Sequence, residues 1–434
     1  RRSRQTSGAP AHALSASGVG ALSSDAHMRV RTPFRCSPHP CEYEIAFVSD
    51  VEGDLDYFNR WVAGSRCVAY TGSDEAALTL THARAYFVYG GDVPDHGRGS
   101  EQLLRLLVGL KRAFPRRVAL LVGNRDLNKL RLTSECAPSD LARPHWSIPA
   151  PHWDPSAPTL SQHLEQVAAA RGGGATAESC DCAAERLRWM YDNTLGCPAT
   201  FEARRAELAA LRSVGSATGD NGGGGGGGGG AAVSDEEVVA AAVADVMPGG
   251  AMSNYLRHAC VAAVFGQTLF AHGAVDARTA GYVPDDSTRF CLPAAPQAGR
   301  MVDSVSEWVD ALNGLLERGL ADHAARPEWD AERATRGGEV LLALQNRDAM
   351  WGRPRRHRAH RPFQEPSTNL PRTFCDVGLG PSSRTRTRTG GASLLRARRA
   401  CARRRSQTQR RVPTLPPSPP WPPTRSTRAS LRGC

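Results

Sequence analysis

The sequence Tyr43-Glu-Ile-Ala-Phe-Val-Ser-Asp-Val-Glu-Gly53 passes directly from an apolar segment into two acidic residues and a glycine. An apolar run of this length predicts a buried strand that ends where the polar residues begin. A similar pattern, an apolar run followed by polar residues, recurs at Ala85–Asp92 and at Arg117–Asn124. There, two further predicted strands end in glycine and a polar side chain. Helical patterns at Leu55–Val62 and Ser100–Phe114 separate the three strands, and this alternation predicts a layered α/β fold.

Three oxygen-bearing side chains, those of Asp50, Asp92 and Asn124, each follow one of these predicted strands. Because the carboxyl ends of parallel strands meet at one crevice, we expect the three side chains to lie close together. The adjacent glycines allow the backbone to approach a ligand closely. Any one of these residues alone could be a helix cap. Their occurrence at three strand ends instead favours a metal site.

Short segments around these residues resemble the sequence blocks of a known family. Asp50-Val-Glu-Gly53, Gly91-Asp-Val-Pro-Asp-His-Gly97 and Gly123-Asn-Arg-Asp126 resemble the D-x-H-G, G-D-x-x-D-R-G and G-N-H-D/E blocks of the calcineurin-like metallophosphoesterases. Phe270-Ala-His-Gly-Ala274 resembles the later H-G-G block of the serine/threonine protein phosphatases. These phosphatases are the branch of the family that the sequence resembles most. The resemblance spans residues 45 to 275 and implies a layered β-sandwich flanked by helices.

The resemblance also implies a set of metal ligands. Asp50 and Glu52 would bind a first ion, Asp92 would bridge two ions, and Asn124 and His272 would bind the second. Two divalent ions (manganese, iron, zinc or magnesium) ~3.5–4 Å apart would polarise phosphoryl oxygens and generate a hydroxide for in-line attack. The expected activity is therefore that of a hydrolase of phosphoric ester bonds. Its substrate would be a phosphomonoester, either a small molecule or a phosphoprotein, with a phosphodiester as the alternative.

Two departures from the family pattern concern the metals. Glu52 stands where the family usually has histidine, and this harder ligand favours manganese, magnesium or iron over zinc. The family also supplies a further histidine in a later G-H block. The histidines that follow His272 here are His323, His357 and His360, and none lies in such a block. The replacement for that ligand is left open by the sequence.

A third departure concerns catalysis, because Arg125 stands where the family has a general-acid histidine. Arginine stays protonated. We therefore predict that Arg125 clamps the phosphate with two hydrogen bonds and is oriented by Asp95 or Asp126. These three residues form the predicted catalytic group. His96 replaces the arginine of the second block and is predicted to contact phosphate, with an ordinary surface histidine as the alternative.

Composition divides the chain into five predicted segments. A run of consecutive glycines cannot hold a helix or strand. Arginine-rich and proline-rich stretches at both ends indicate disorder. The segments are a disordered leader (1–40), the N-terminal part of the metallophosphoesterase domain (41–135), a helical insertion with a glycine-rich linker at 222–230 (136–250), the C-terminal part of that domain (251–350) and a disordered tail (351–434).

The net charge of +11 is unevenly distributed. Residues 351–434 hold 20 arginines against Glu365 and Asp376, whereas residues 41–350 carry a net negative charge. Such a tail can neutralise phosphates without sequence specificity. Nucleic-acid binding through the tail, with the rest of the chain as a scaffold, is therefore a second hypothesis. A third is a catalytically impaired relative that serves as an interaction module.

The sequence also bears on location. No apolar run reaches the ~18 residues of a membrane helix, so no membrane partner is predicted. The 12 cysteines include no C-x-x-C pair, which favours a reducing compartment and predicts a cytoplasmic protein. Residues 1–35 are rich in arginine, serine and alanine with one acidic residue. That composition is compatible with an organelle transit peptide as well as with a disordered leader.

Overall fold

The structure, a computed structural model, is of mixed α/β architecture. It describes residues 43–72, 77–151, 154, 156–217, 232–275, 279–289, 298–347 and 393–396. The predicted leader, the linker at 222–230 and all but four residues of the predicted tail lie outside these ranges. The chain divides into two units, Arg1–Arg398 and Arg399–Cys434, and every described residue belongs to the first.

The strands are short and are distributed along most of the described chain. They are β1 (Glu44–Val48), β2 (Val68–Tyr70), β3 (Leu78–Leu80), β4 (Ala85–Tyr89), β5 (Val118–Leu120), β6 (Ala262–Phe265), β7 (Thr268–Ala271), β8 (Tyr282–Pro284), β9 (Gly299–Met301) and β10 (Ser393–Arg396).

The α-helices fall mainly between β1 and β6. They are α1 (Leu55–Gly64), α2 (Ser100–Ala113), α3 (Asn124–Asn128), α4 (Leu132–Glu135), α5 (Pro138–Leu141), α6 (Leu160–Arg171), α7 (Ala177–Cys180), α8 (Ala183–Trp189), α9 (Thr200–Ala217), α10 (Asp235–Val246), α11 (Ala251–His258), α12 (Val305–Ala325) and α13 (Glu339–Arg347).

The central sheet has the order β1-β4-β5, and all of its strands are parallel. Each of its connections contains a predicted helix, α1 or α2, as parallel pairing requires. The leucines of α2 are buried, as are Phe87 and Tyr89 of β4. The parallel order brings the ends of β1, β4 and β5 to the same edge, which confirms the arrangement predicted from the three apolar runs.

A second sheet, of order β10-β7-β6, is antiparallel. A tight turn at Gly266 joins β6 to β7 as a hairpin. An isolated parallel bridge between Leu121 and Cys260 links this part of the chain to the end of β5. Side chains of both sheets, including Val88, Phe265 and Phe270, share one apolar cluster. The loop after β7 is therefore held near the carboxyl edge of the central sheet.

The predicted insertion is helical in its described part, and α6, α7 and α10 begin with capping boxes. At the start of α10 the box is formed by Ser234 and Glu237. On α9, Arg204 pairs with Glu207 at 2.6 Å and Arg205 pairs with Glu202 at 2.8 Å, as the i,i+3 spacing predicts. Because these arginines have partners on their own helix, their position does not require an anionic ligand.

Several elements differ from the sequence prediction. The hairpins β2–β3 and β8–β9 were missed because strands of three residues carry too little periodicity. The segment 351–434 was predicted to be disordered throughout, but residues 393–396 form β10 beside β7. Within the described ranges, no helix combines the length and the apolar composition needed to cross a membrane.

Candidate metal centre

Backbone hydrogen bonds join the loops that follow β1 and β4. The Asp50 N–H donates to the Gly91 carbonyl at 3.1 Å, and the Glu52 N–H donates to the Asp92 carbonyl at 3.3 Å. The Gly97 N–H closes the far end of the second loop by donating to the Glu52 carbonyl at 2.7 Å. The two predicted motifs thus form one hydrogen-bonded backbone unit, which fixes the backbone positions of the residues that carry the carboxylates.

The Asp126 carboxylate ties the third loop to this unit. One of its oxygens accepts from the Gly123 N–H at 2.7 Å and from the Asp92 N–H at 3.0 Å. The other accepts from the Val93 N–H at 2.9 Å. Asp126 is fully buried. Both oxygens face backbone donors, so within the predicted catalytic group Asp126 positions the loops and not Arg125, which it was predicted to orient.

Three carboxylate residues of the site adopt left-handed backbone conformations, with φ of 53° at Asp50, 54° at Glu52 and 55° at Asp92. Non-glycine residues seldom occupy this region, and such outliers concentrate at functional sites. The loops also approach closely. A Cβ on Gly123 would lie 2.0 Å from Asp92 Oδ1, and one on Gly91 would lie 2.6 Å from Gly123 N. The glycines of the motifs are needed for this contact.

Three ligand side chains converge at the sheet edge. One atom each of Asp50, Asp92 and His272 lies within 4.8 Å of the others. Asp92 and His272 are buried, and Asp50 is partly buried. The three residues come from the loop after β1, the loop after β4 and the end of β7. Two carboxylates and an imidazole at this separation form a ligand set suited to a divalent metal ion.

The orientation of His272 fits a metal ligand. Its Nδ1 lies 2.7 Å from the Gly90 carbonyl, which can only accept, so Nδ1 carries the hydrogen. Its Nε2 then points at Asn124 Oδ1, 3.1 Å away, and at Asp92 Oδ2, 3.5 Å away. Two acceptors in front of Nε2 favour a proton or a metal ion between the ring and these oxygens. Metal-binding histidines are commonly oriented by such a second hydrogen bond.

Burial and neighbouring charges shift the pKa values of all three ligand side chains. Burial raises the pKa of Asp50 to about 6. Burial disfavours the imidazolium of His272, but the carboxylates of Asp92 and Asp50 outweigh it and raise its pKa to about 9. Burial likewise disfavours the Asp92 carboxylate, yet His272 and the Arg125 N–H hold its pKa below the ordinary value. A proton on His272 therefore occupies the position where a cation is favoured.

Arg125 lies on the other side of Asp92. Its Nη1 is 2.8 Å from Glu52 Oε1 and 3.2 Å from Asp95 Oδ2, and its Nε is 3.7 Å from Asp92 Oδ2. Asp95 also pairs with the buried Lys129. Of the two orienting residues predicted for Arg125, Asp95 makes the contact and Asp126 does not. Because the Asp95 side chain is 0% exposed, it is placed to orient Arg125, as predicted, rather than to touch a substrate.

An open cleft of about 520 Å³ borders the site on the side of Asp50 and Glu52. Asp50 and Glu52 line it, with His96 and Arg98 at its exposed rim. The His96 Nε2 is 3.3 Å from Arg125 Nη1, and its Nδ1 is 2.9 Å from the carbonyl of Pro198 in the insertion. The ring of His96 therefore links the cleft to the helical insertion. The predicted contact between His96 and phosphate stays a prediction.

A second group of possible ligands lies at the opposite end of β1. Glu44, Cys67 and His82 also have one ligand atom each within 4.8 Å of one another. Arg66 already forms an ion pair with Glu44 there. The sequence analysis did not single out this group, because its members come from segments without a motif.

The predicted metal ligands are thus only partly brought together. Asp50, Asp92 and His272 form the cluster, Asn124 contacts His272, and Glu52 pairs with Arg125 instead. Lys129 is the site residue that the sequence analysis missed. Two signals pointed to it: it is one of two lysines in the chain, and it lies four residues after Arg125, at the spacing of one helical turn.

Comparisons of this chain with family models, with curated proteins and with solved structures found no match in any of the three.

Proposed function

We propose that this chain is a metal-dependent phosphoesterase that hydrolyses a phosphomonoester at Asp50, Asp92 and His272. The observation that carries the proposal is the convergence of these three side chains from three separate elements, of which Asp50 also lines an open cleft. The motif resemblance described above leads to the same residues independently. We also propose that the two sheets and their flanking helices form the layered β-sandwich of the metallophosphoesterases.

The chemistry assigned to the site divides between a metal and the chain. A bound divalent ion would act as a Lewis acid on the phosphoryl oxygens and supply hydroxide at neutral pH. Asp50 and Asp92 would hold it through oxygen, and His272 through Nε2. Arg125, fixed by Asp95, is placed to bind the phosphate oxygens, since a guanidinium donates two parallel hydrogen bonds.

The size of the cleft bears on the substrate class. Ligand pockets for small molecules span roughly 300–1,000 Å³, and the cleft of about 520 Å³ lies within that range. The insertion reaches the cleft rim through the contact between His96 and Pro198. The cleft beside Asp50 therefore has room for a small phosphomonoester, and a phosphoserine or phosphothreonine side chain is the alternative.

The test is hydrolysis of p-nitrophenyl phosphate by the full chain with and without Mn²⁺. We expect Mn²⁺-dependent turnover in the wild type and a loss of ~100-fold or more in Asp92→Asn, because a removed charge and ligand both weaken the centre. The exposed Asp303→Asn is the matched control and should keep full activity. Turnover in Asp92→Asn that equals the wild type would refute the proposal.

The other hypotheses stay predictions. The arginine-rich tail lies almost entirely outside the described residues, so nucleic-acid binding is tested by a salt titration of the full chain against oligonucleotides. An interaction module without catalysis would bind no metal, which mass spectrometry of metal content would reveal. The expected cytoplasmic location is likewise a prediction.

A further inference from the structure

The acidic side chains of the site divide into two groups. Asp50 and Asp92 face His272, where a metal ligand set is complete enough to hold one ion. Glu52 and Asp95 face away from His272, toward Arg125. The family pattern described above places one of its two ions at Asp50, Glu52 and the bridging Asp92. In this chain that space lies next to a guanidinium.

Arg125 makes the contacts that an ion at this position would make. Its Nη1 lies 2.8 Å from Glu52 Oε1 and 3.2 Å from Asp95 Oδ2, and its Nε approaches Asp92 Oδ2 at 3.7 Å. Arginine does not deprotonate in proteins, so this positive charge is permanent. A divalent ion bound to the same oxygen of Glu52 would lie within a few ångströms of it and be repelled.

The backbone N–H of Arg125 also restricts how many ions the Asp92 carboxylate can bind. Its N–H donates to Asp92 Oδ1 at 3.0 Å, which leaves Oδ2 as the oxygen nearest His272. A carboxylate that bridges two ions through both oxygens would have to give up this hydrogen bond. The bond is held in place because Asp126 fixes the N–H groups of Asp92 and Gly123.

The position of the guanidinium is itself well supported. The Arg125 side chain is 23% exposed, and its partner Asp95 is 0% exposed and paired on its other side with Lys129. A rotation of Arg125 away from the site would leave the Asp95 charge with Lys129 alone and would leave Glu52 without its 2.8 Å partner. Its contacts with Asp95 and Glu52 therefore hold the Arg125 side chain in the site.

We propose that the centre holds a single divalent ion, at Asp50, Asp92 and His272, and that the Arg125 guanidinium supplies the second positive charge in place of a second ion. This rests on the proposed function only in its assignment of the metal site. It replaces the two-ion centre that the family resemblance implies, and it assigns Glu52 to holding Arg125 rather than to binding metal.

The experiment is equilibrium dialysis of the full chain against MnCl₂, with bound manganese counted by mass spectrometry and examined by electron paramagnetic resonance. We expect one ion per wild-type chain, with the resolved hyperfine pattern of an isolated Mn²⁺. Arg125→Lys keeps the charge and should also bind one ion. Arg125→Ala frees Glu52 and Asp92 and should bind two, with a spin-coupled spectrum.

A second variant keeps the test decisive if Arg125→Ala does not fold. Glu52→Gln should still bind one ion, with an affinity within ~3-fold of the wild type, because Glu52 is not a ligand in this proposal. Two ions in the wild type, or loss of an ion in Glu52→Gln, would overturn the single-ion centre and leave the proposed function standing. A wild type that binds no manganese would instead refute both.

Discussion

At the scale of single residues, the site depends on positions where the backbone tolerates almost no side chain. The Gly123 Cα lies against Asp92, and Gly91 lies against Gly123. Asp50, Glu52 and Asp92 meanwhile adopt φ values that L-amino acids seldom take. Strain of this kind costs of order 1–3 kcal/mol per residue and persists where surrounding contacts impose it. Here the Asp126 hydrogen bonds and the joined loops impose it.

Gly123→Ala tests this close approach. A Cβ would lie 2.0 Å from Asp92 Oδ1 and 2.4 Å from Asp92 N, so the carboxylate must move. We expect Mn²⁺ affinity to fall at least ~10-fold, as it does when groups that orient metal ligands are disturbed. The control is Gly109→Ala in α2, where a Cβ meets nothing within 4 Å. It should stabilise the fold by up to ~1 kcal/mol and leave affinity unchanged. Equal affinity in both variants would contradict the packing described here.

At the scale of elements, ion pairs hold the insertion and the C-terminal helices to the core. The Glu207 carboxylate on α9 accepts the Glu101 N–H in the first turn of α2, at 2.7 Å. Gly99, the N-cap of α2, has no side chain that could accept a hydrogen bond from the first turn of the helix. Glu207 therefore satisfies an N–H group at the start of α2 that the residues of α2 itself leave without a partner. Arg204 joins the same network through Glu101 and Asp245. The insertion is thereby fixed beside the loop that leads from Asp92 into α2.

Glu135 offers a pH-dependent test of a similar network. Arg131 binds it through two hydrogen bonds of 2.7 and 2.8 Å, and Arg336 lies 3.0 Å away. Burial opposes the charge, but the two arginines lower the pKa of Glu135 to about 2. The lowered pKa contributes about 3 kcal/mol of stability that is present above pH ~4.5 and is lost as the pH falls toward 2.

Glu135→Gln should therefore cost ~2–4 kcal/mol at pH 7, because two arginines lose a largely buried partner. The variant should also lack the decline in stability that the wild type shows between pH ~4.5 and 2. Urea denaturation at several pH values measures both effects. Asp286→Asn, which breaks the exposed pair with Arg318, is the control and should cost less than ~1 kcal/mol. Parallel pH curves for the wild type and Glu135→Gln would count against this network.

Individual elements show why the sequence predicted some parts and not others. Strands such as Ala85–Tyr89 and helices such as Ser100–Ala113 were predictable because their apolar spacing is local. The pairing of Arg125 with Glu52 was not, since it depends on a loop contact between residues far apart in sequence. Lys129 was missed for the same reason, because its partner Asp95 is distant in the chain. Motif residues reveal which groups meet, but not which partner each one takes.

At the scale of the whole molecule, the described part of the chain brings its candidate ligands from widely separated segments. His272 reaches Asp92 because the β6–β7 hairpin follows the Leu121–Cys260 bridge, which places it beside the central sheet. Tyr255 strengthens that junction by donating its hydroxyl to the Leu121 carbonyl at 2.6 Å. Residues 41–350 carry a net negative charge, which suits a cation-binding centre more than a nucleic-acid surface.

Binding of a metal ion among Asp50, Asp92 and His272 is tested most directly by anomalous X-ray diffraction from crystals of the full chain grown with Mn²⁺. We expect a single anomalous peak ~2.0–2.3 Å from a carboxylate oxygen of Asp50, a carboxylate oxygen of Asp92 and Nε2 of His272. No peak at these three residues, with manganese bound elsewhere, as at Glu44, Cys67 and His82, would contradict the metal centre described here.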